Sequence, residues 1–439
     1  MSLSPSMNVL AQLGLIVASV ALLLCVMGAV QWAGRRYDWS AELQRKCVHL
    51  AIGFYALTLP LTFSERWPVM VLTGLAAVVL LVLRLPHFAK AGIGSTLHGV
   101  ERTSYGDFLL ALSIGFIFCL ALENPILYVL PVTVLTLSDA AAAMIGTRYG
   151  RRLFAVEAGT KSLEGVAMFF LVTWILAMVL LLLLTDIGRI NVVLLSLAVA
   201  AFGALVEADS WRGFDNLFVP VGIYLFLARH LQTEPLPLLL LTATFIVTLC
   251  AILLLAPALK LTHHAARSYT VLIFLICAVT APHNAILPVT AVVAHLVARR
   301  VRPCPSPYPD LDFLAVTAGV ALFWLFVGEF SGHNALNAYN LTFAGATLVF
   351  LTLAAVHRLP LAALATLPLA AIALAIAQWN AEATQWNGAL WPFVVASFAL
   401  CFAVAAWLPQ LLDRYRAPRA LALALPVPLA LFAMKVFAS

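Results

Sequence analysis

The chain is a succession of long apolar runs separated by short polar breaks. Runs of this length suit helices that cross a bilayer, and an unbroken stretch of leucine at 180–184 is unlike the alternating pattern of a β-barrel strand. The pattern predicts about fourteen to sixteen membrane-spanning helices, since several runs are shorter than the ~20 residues of an upright span. The predicted spans are 8–30, 47–63, 67–84, 106–122, 126–147, 164–185, 190–207, 216–231, 236–258, 268–281, 284–299, 311–329, 342–356, 360–377, 389–408 and 420–437.

Composition agrees with this pattern. Hydrophobic residues make up 64% of the 439 residues and charged residues only 10%. Soluble globular proteins do not have this composition. The seven cysteines are scattered without CxxC spacing, so they indicate neither a zinc site nor a set of disulfides. The predicted fold class is therefore an all-α, polytopic integral membrane protein.

The net charge of +6 could suggest a nucleic-acid partner, but the placement of the charges indicates membrane topology instead. Nearly all of the 25 Lys and Arg residues lie in or beside the odd-numbered loops. By the positive-inside rule those loops are cytoplasmic, which places both termini outside and predicts no nucleic-acid partner. The exceptions are Arg66, Arg189, Arg229 and Lys435.

Nearly all of the dense charge clusters lie within residues 31–216, in or beside the loops predicted to be cytoplasmic. After the proline-rich segment 232–237 the spans become plainer. The sequence therefore predicts two domains, 1–231 and 236–439, without an internal repeat.

The most informative cluster begins at Asp139, about two helical turns inside an apolar run. A carboxylate at that depth is costly, and in membrane proteins it usually serves a function. Gly146 and Gly150 form a GxxxG pair, which alone would indicate close helix packing. The loop that follows carries donors suited to phosphate oxygens, so the glycines could instead give room to phosphates while carboxylates hold Mg²⁺. The polar residues of this segment are Arg148, Arg151, Arg152, Lys161, Ser162 and Glu164.

Three further clusters lie in or beside the loops predicted to be cytoplasmic. Lys46 and His49 share a helix face, as either a membrane anchor or part of a site. Residues 98–107 are either a capped helix start or a site containing Glu101 and Arg102. The acidic stretch 207–216 is either a solvated loop or a source of metal or nucleotide ligands.

Four motifs follow one another along the first half of the chain. They are Arg45-Lys46-x-x-His49 with Gly53; Glu101-Arg102-x-Ser104-Tyr105-Gly106; Asp139-x6-Gly146-x3-Gly150-Arg151 followed by Lys161-Ser162-Leu163-Glu164-Gly165; and Glu207 followed by Asp215-Asn216-Leu217-x-x-Pro220. In this order the motifs resemble those of the CTP-dependent dolichol kinase and phytol kinase family. The resemblance covers roughly residues 40–231, and residues 236–439 match no part of that family's catalytic unit.

The resemblance implies a membrane kinase that transfers the γ-phosphate of CTP to a long-chain isoprenoid alcohol such as phytol, geranylgeraniol, a polyprenol or dolichol. The active site is expected on the cytoplasmic face, with His49 or a carboxylate accepting the alcohol proton. The residues expected to act in catalysis are Asp139, Lys161, Glu164 and His49; those expected to bind Mg²⁺ are Asp139, Glu164 and Asp215; and those expected to bind nucleotide or phosphate are Lys46, Arg102, Gly146, Arg148, Gly150, Arg151, Ser162, Gly165 and Asn216.

Two other functions are compatible with the sequence. A cytidylyltransferase acting on a lipid phosphate carries a similar acidic and glycine pattern, although Gly159-Thr160 stands where a Ser-Pro pair is usual for those enzymes. A transporter or lipid scaffold would explain the many spans, but the charges crowd one membrane face instead of the midplane. Residues 236–439 could bind lipid, mediate assembly or carry a second activity.

Overall fold

The computed structural model describes residues 8–83, 105–121, 123–156, 159–386 and 388–438. A helix lies at each of the predicted spans, and within the described ranges ten helices are long and apolar enough to cross a membrane. Shorter apolar helices, of 10–17 residues, accompany them. The protein is thus a predominantly helical, multi-pass membrane protein, while the number of spans and the side on which the termini lie remain predictions.

The chain divides into two compact units, unit 1 (residues 1–246) and unit 2 (residues 247–439). The elements of unit 1 are α1 (Val9–Arg36), α2 (Ala41–Thr62), α3 (Arg66–Leu83), α4 (Gly106–Ala121), α5 (Pro125–Thr133), a π-helical segment (Val134–Ser138), α6 (Asp139–Tyr149), β1 (Leu153–Val156), β2 (Gly159–Ser162), α7 (Leu163–Leu184), α8 (Arg189–Asp209) and α9 (Asp215–His230). Helix α10 (Pro235–Leu255) contains the division point.

In unit 1, one membrane-crossing segment combines α5, the π-helical segment and α6. A π turn inserts an extra residue into the helical register and is frequent at functional sites. Here the π-helical segment ends immediately before Asp139, the first residue of α6. The interruption therefore sets the direction in which this carboxylate leaves the helix.

The loop after α6 differs from the all-α prediction because it contains an antiparallel hairpin. Strands β1 and β2 pair from Leu153 opposite Ser162 to Val156 opposite Gly159. The apolar and β-branched residues of β1 favour an extended strand, a short signal that the surrounding glycines and arginines obscure in the sequence. The hairpin places Lys161 opposite Phe154 and leads directly into α7.

Glycines bring two helices of unit 1 close together beside this hairpin. A Cβ atom on Gly165 would lie 3.3 Å from the Cα of Gly146 and 3.1 Å from both the Ala142 carbonyl oxygen and Ser162 Oγ. A Cβ atom on Gly150 would likewise meet Ser162, 2.8 Å from its Cβ. These glycines therefore permit the close approach of α6 and α7, the packing that a GxxxG pair commonly allows in membranes.

Unit 2 is built around one buried helix. Its elements are α11 (His263–Val279), a 3₁₀ turn (Pro282–Ala285), α12 (Ile286–Val301), α13 (Pro309–Ser331), α14 (Leu336–Ala354), α15 (Leu359–Trp379), α16 (Ala381–Thr384), α17 (Trp391–Trp407), a 3₁₀ turn (Pro409–Leu412), α18 (Arg416–Ala424) and α19 (Pro426–Ala438). Helix α14 is almost wholly buried, and α12 packs along it.

Candidate active site

The carboxylate of Asp139 is buried and faces α2. Lys46 Nζ donates to both of its oxygens, at 2.8 Å to Oδ1 and 2.7 Å to Oδ2. Nε2 of His49 lies 3.4 Å from Oδ2 and 3.1 Å from the Leu135 carbonyl oxygen. Because both neighbours of Nε2 are acceptors, this nitrogen carries a proton and donates. Lys46 thus compensates the charge of Asp139, and His49 links α2 to the π-helical segment.

Close packing explains how α2 reaches this position. A Cβ atom on Gly53 would overlap the side chain of Thr136, at 2.5 Å from its Cγ2, so only glycine lets α2 lie against the π-helical segment this closely. One turn further along α2, the Tyr128 hydroxyl donates to the Ala56 carbonyl oxygen at 2.7 Å. These contacts fix the helix that carries Lys46 and His49.

A second lysine–carboxylate pair joins the hairpin to the end of α8. Lys161 Nζ donates to Glu207 Oε1 at 3.0 Å, to the Glu207 carbonyl oxygen, and to Ser210 Oγ at 3.0 Å. Burial lowers the pKa of Lys161, but the nearby carboxylates of Glu207 and Asp215 outweigh burial and raise it above the ordinary value. Lys161 therefore remains a cation at neutral pH.

Three carboxylates converge between these lysines. One oxygen each from Asp139, Glu207 and Asp215 lie within 4.8 Å of one another. Glu207 Oε2 and Asp215 Oδ1 are buried and have no hydrogen-bond partner among the described residues. Three acids face two lysines in this cluster, and buried oxygens without partners are costly. Oxygen ligands of this kind fit Mg²⁺, so these three residues are the ones that could hold it.

The structure places the other predicted residues around this centre in different ways. Asn216 is buried next to Asp215, and its Oδ1 also lacks a hydrogen-bond partner in the described part of the chain. Ser162 Oγ caps α7 by accepting from the Gly165 N–H at 3.2 Å. Arg148 and Arg151 are exposed. The predicted Arg102, and Glu101 beside it, lie outside the described residues.

Glu164 is placed differently from the metal ligand that the sequence predicts. Its carboxylate accepts from the Arg152 backbone N–H, at 3.1 and 3.2 Å from the two oxygens, and does not belong to the three-carboxylate cluster. The third carboxylate of the cluster comes instead from Glu207, which sequence reasoning left among general ligand candidates. The concentration of acids at 207–216 was the feature of the sequence that could have identified Glu207. Nothing in the sequence indicated that Ser210 would contact Lys161.

Fold and site together define a multi-pass membrane protein whose unit 1 brings three carboxylates together beside two lysines. Over 186 residues the chain is 33% identical to the phytol kinase of Synechocystis sp. (strain ATCC 27184 / PCC 6803 / Kazusa), a match that covers 42% of this chain and 76% of that protein. The chain belongs to the polyprenol/phytol kinase family. No protein-family model matches the chain, and no solved structure matches it.

Proposed function

We propose that this protein transfers the γ-phosphate of CTP to a long-chain isoprenoid alcohol. One observation carries the proposal: residues from three of the four family-like motifs meet in a single, partly buried centre of acids and lysines. Membership in the polyprenol/phytol kinase family supports the alcohol as acceptor. The loops that carry these motifs are those predicted to be cytoplasmic, where CTP is available, so we place the active site on that face.

In the proposed reaction an alcohol oxygen attacks the γ-phosphorus, a new oxygen–phosphorus bond forms, and the bond to the β-phosphate oxygen breaks to release CDP. Asp139, Glu207 and Asp215 would hold Mg²⁺, which when bound neutralises charge on the phosphate oxygens. Lys46 and Lys161 lie beside these acids and supply N–H donors to the same oxygens. Positioning and charge neutralisation account for most of the rate in such transfers.

The proton of the alcohol passes to a carboxylate of the cluster in this scheme. His49 is poorly placed for that role at Nε2, because this nitrogen donates to the Leu135 carbonyl oxygen. We therefore give His49 the role of holding α2 and the π-helical segment together beside Asp139. The hydroxyl end of the substrate would enter at the depth of Asp139, with its apolar tail among the membrane helices.

Labelled nucleotide tests the proposal. Purified full-length protein is incubated with Mg²⁺, phytol, geranylgeraniol, a polyprenol or a lipid phosphate, and CTP labelled at the α or the γ position. Label that reaches an alcohol from the γ position alone supports the kinase, and competition by unlabelled CTP but not ATP supports the donor. Label from the α position in a lipid phosphate would instead identify a cytidylyltransferase, and absence of labelled lipid with every acceptor would refute both.

A further inference from the structure

A small cavity in unit 2 lies where the first turn of α14, the segment after α16 and the last turn of α19 meet. Polar groups line one side of this cavity and apolar side chains line the other. The polar side is formed by Asn334, Asn337, Trp386 and Lys435, and the apolar side by Leu431 and Phe432. A cation, hydrogen-bonding groups and an apolar wall therefore share one small space.

Lys435 brings a positive charge that no carboxylate of the described residues pairs with. Its Nζ donates to the Asn334 carbonyl oxygen at 3.3 Å and to the Thr384 carbonyl oxygen. The ion pairs formed within the described ranges do not include this lysine. Because an ammonium has three donors, one N–H remains for a further acceptor. The charge of Lys435 is therefore available to an anionic ligand.

The N-terminus of α14 adds a second positive feature to the cavity, where Asn337 lies in the first turn of the helix. The residue at the N-cap, Ala335, has no side-chain acceptor, and the first turn contains no acid. Asn334 Oδ1 accepts from the Leu336 N–H at 2.9 Å. A helix N-terminus carries partial positive charge and N–H groups without intrahelical acceptors, which together favour a phosphate. The helix end and Lys435 thus act on the same space.

Two buried polar atoms of the lining have no hydrogen-bond partner in the described part of the chain. They are Nε1 of Trp386, a donor, and Oδ1 of Asn337, an acceptor on a residue that is only 8% exposed. The orientation of the Asn337 amide is fixed, because Nδ2 donates to Thr384 Oγ1 at 3.3 Å and this hydroxyl donates to the Asn380 carbonyl oxygen at 2.9 Å. Buried atoms without partners are costly. A ligand that both accepts and donates would satisfy both of them.

The cavity lies at the depth of lipid headgroups. Lys435 is in the last turn of the membrane-crossing segment Arg416–Phe437. Tryptophan side chains are enriched where a membrane meets water, and the exposed Trp379 and Trp391 flank Trp386 along the sequence. The apolar side of the cavity suits the first carbon atoms of a lipid chain. These features favour a lipid over a soluble molecule as the source of the anion.

We propose that unit 2 binds a lipid phosphate monoester, with the phosphate at this cavity and the apolar chain among the membrane helices. Lys435, the Trp386 Nε1–H and the N-terminus of α14 donate to the charged phosphate oxygens. A phosphate monoester has a second pKa of about 6, so part of it retains a P–OH group that can donate to Asn337 Oδ1. A phosphodiester lipid has no such proton. This ligand class includes the product of the reaction proposed for unit 1, but the inference rests on unit 2 alone.

The experiment measures the binding of radiolabelled geranylgeranyl phosphate to purified full-length protein in detergent, without nucleotide. We expect Lys435→Met to lose one binding site per chain. Trp386→Phe keeps an aromatic ring but removes the N–H, and should bind about tenfold more weakly at that site, as expected for a lost hydrogen bond to a charged group. The matched controls are Lys260→Met and Trp379→Phe, at exposed residues of unit 2, which should bind as the natural protein does. None of these variants alters unit 1, so any binding there adds equally to every measurement.

Competitors distinguish the possible sources of the phosphate. Unlabelled geranylgeranyl phosphate should displace the label, whereas geranylgeraniol, phosphatidylglycerol and inorganic phosphate at the same concentration should displace little. Equal displacement by inorganic phosphate would overturn the assignment to a lipid, and equal displacement by phosphatidylglycerol would overturn the assignment to a monoester.

The proposal also fails if either Lys435→Met or Trp386→Phe binds the label like the natural protein. A variant that misfolds is recognised by its elution profile, and the milder Trp386→Phe keeps the test decisive if Lys435→Met does not fold. The ligand is added and no phosphate transfer is required, so a negative result in the kinase assay leaves this measurement standing.

Discussion

The buried charges of unit 1 and unit 2 are balanced in different ways. In unit 1 three carboxylates meet two lysines, and two carboxylate oxygens are left without hydrogen-bond partners among the described residues. In unit 2 the single carboxylate of Asp310 is matched by Arg299 and shares hydrogen bonds with Tyr269 and His295. An excess of buried acid favours binding of a cation together with phosphate. A buried carboxylate that is already paired with a guanidinium calls for no further cation.

The largest expected effect removes the charge at the centre of the unit 1 cluster. Asp139→Asn keeps the size of the side chain but leaves Lys46 without its counter-ion and deprives the site of a metal ligand. We expect transfer from γ-labelled CTP to fall by about 10³-fold, the range seen when a main electrostatic contact is lost. Asp186→Asn, at an exposed carboxylate of the same unit, should keep normal activity. Normal transfer by Asp139→Asn would remove this residue from the centre.

A second experiment compares Glu207, which the structure brings into the cluster, with Glu164, which it does not. Glu207→Gln should lower transfer by about 10²-fold and raise the Mg²⁺ concentration needed for half-maximal rate, because a ligand is lost. Glu164→Gln retains an oxygen that can accept from the Arg152 N–H and should change the Mg²⁺ requirement little. The measurement is the rate as a function of Mg²⁺. A larger shift in the Glu164 variant would restore the original assignment.

The third prediction concerns the balance of charge itself. Lys46→Met removes a cation that contacts both oxygens of Asp139 while keeping an unbranched side chain. The acids are then less compensated, so Mn²⁺ used as a probe should bind the nucleotide-free protein about tenfold more tightly, whereas phosphate transfer should fall. Binding is followed by the electron paramagnetic resonance of free Mn²⁺. Unchanged or weaker Mn²⁺ binding in this variant would contradict the charge count.

Sequence reasoning predicted the helices well because apolar runs of membrane length leave few alternatives. It also found Asp139, Lys46 and Lys161, since charges inside or beside such runs are conspicuous. It could not rank Glu164 against Glu207, because both are acids near a helix end and only tertiary packing decides which one faces Asp139. The hairpin and the π-helical segment were missed for a related reason. Both depend on hydrogen bonds whose register leaves little trace in the apolar pattern.

The smallest expected effect distinguishes the two possible roles of the glycines, which are helix packing and phosphate binding. If Gly165 serves helix packing, Gly165→Ala should destabilise unit 1 by about 1–3 kcal/mol, because the added methyl group meets the backbone of α6. The apparent affinity for CTP should stay nearly unchanged in the fraction that remains folded. Gly28→Ala is the control, since a Cβ atom there has no neighbour within 4 Å among the described residues. Thermal unfolding in detergent and the KM for CTP are measured on both variants. A raised KM with unaltered unfolding would show that phosphate, and not α6, occupies the space beside Gly165.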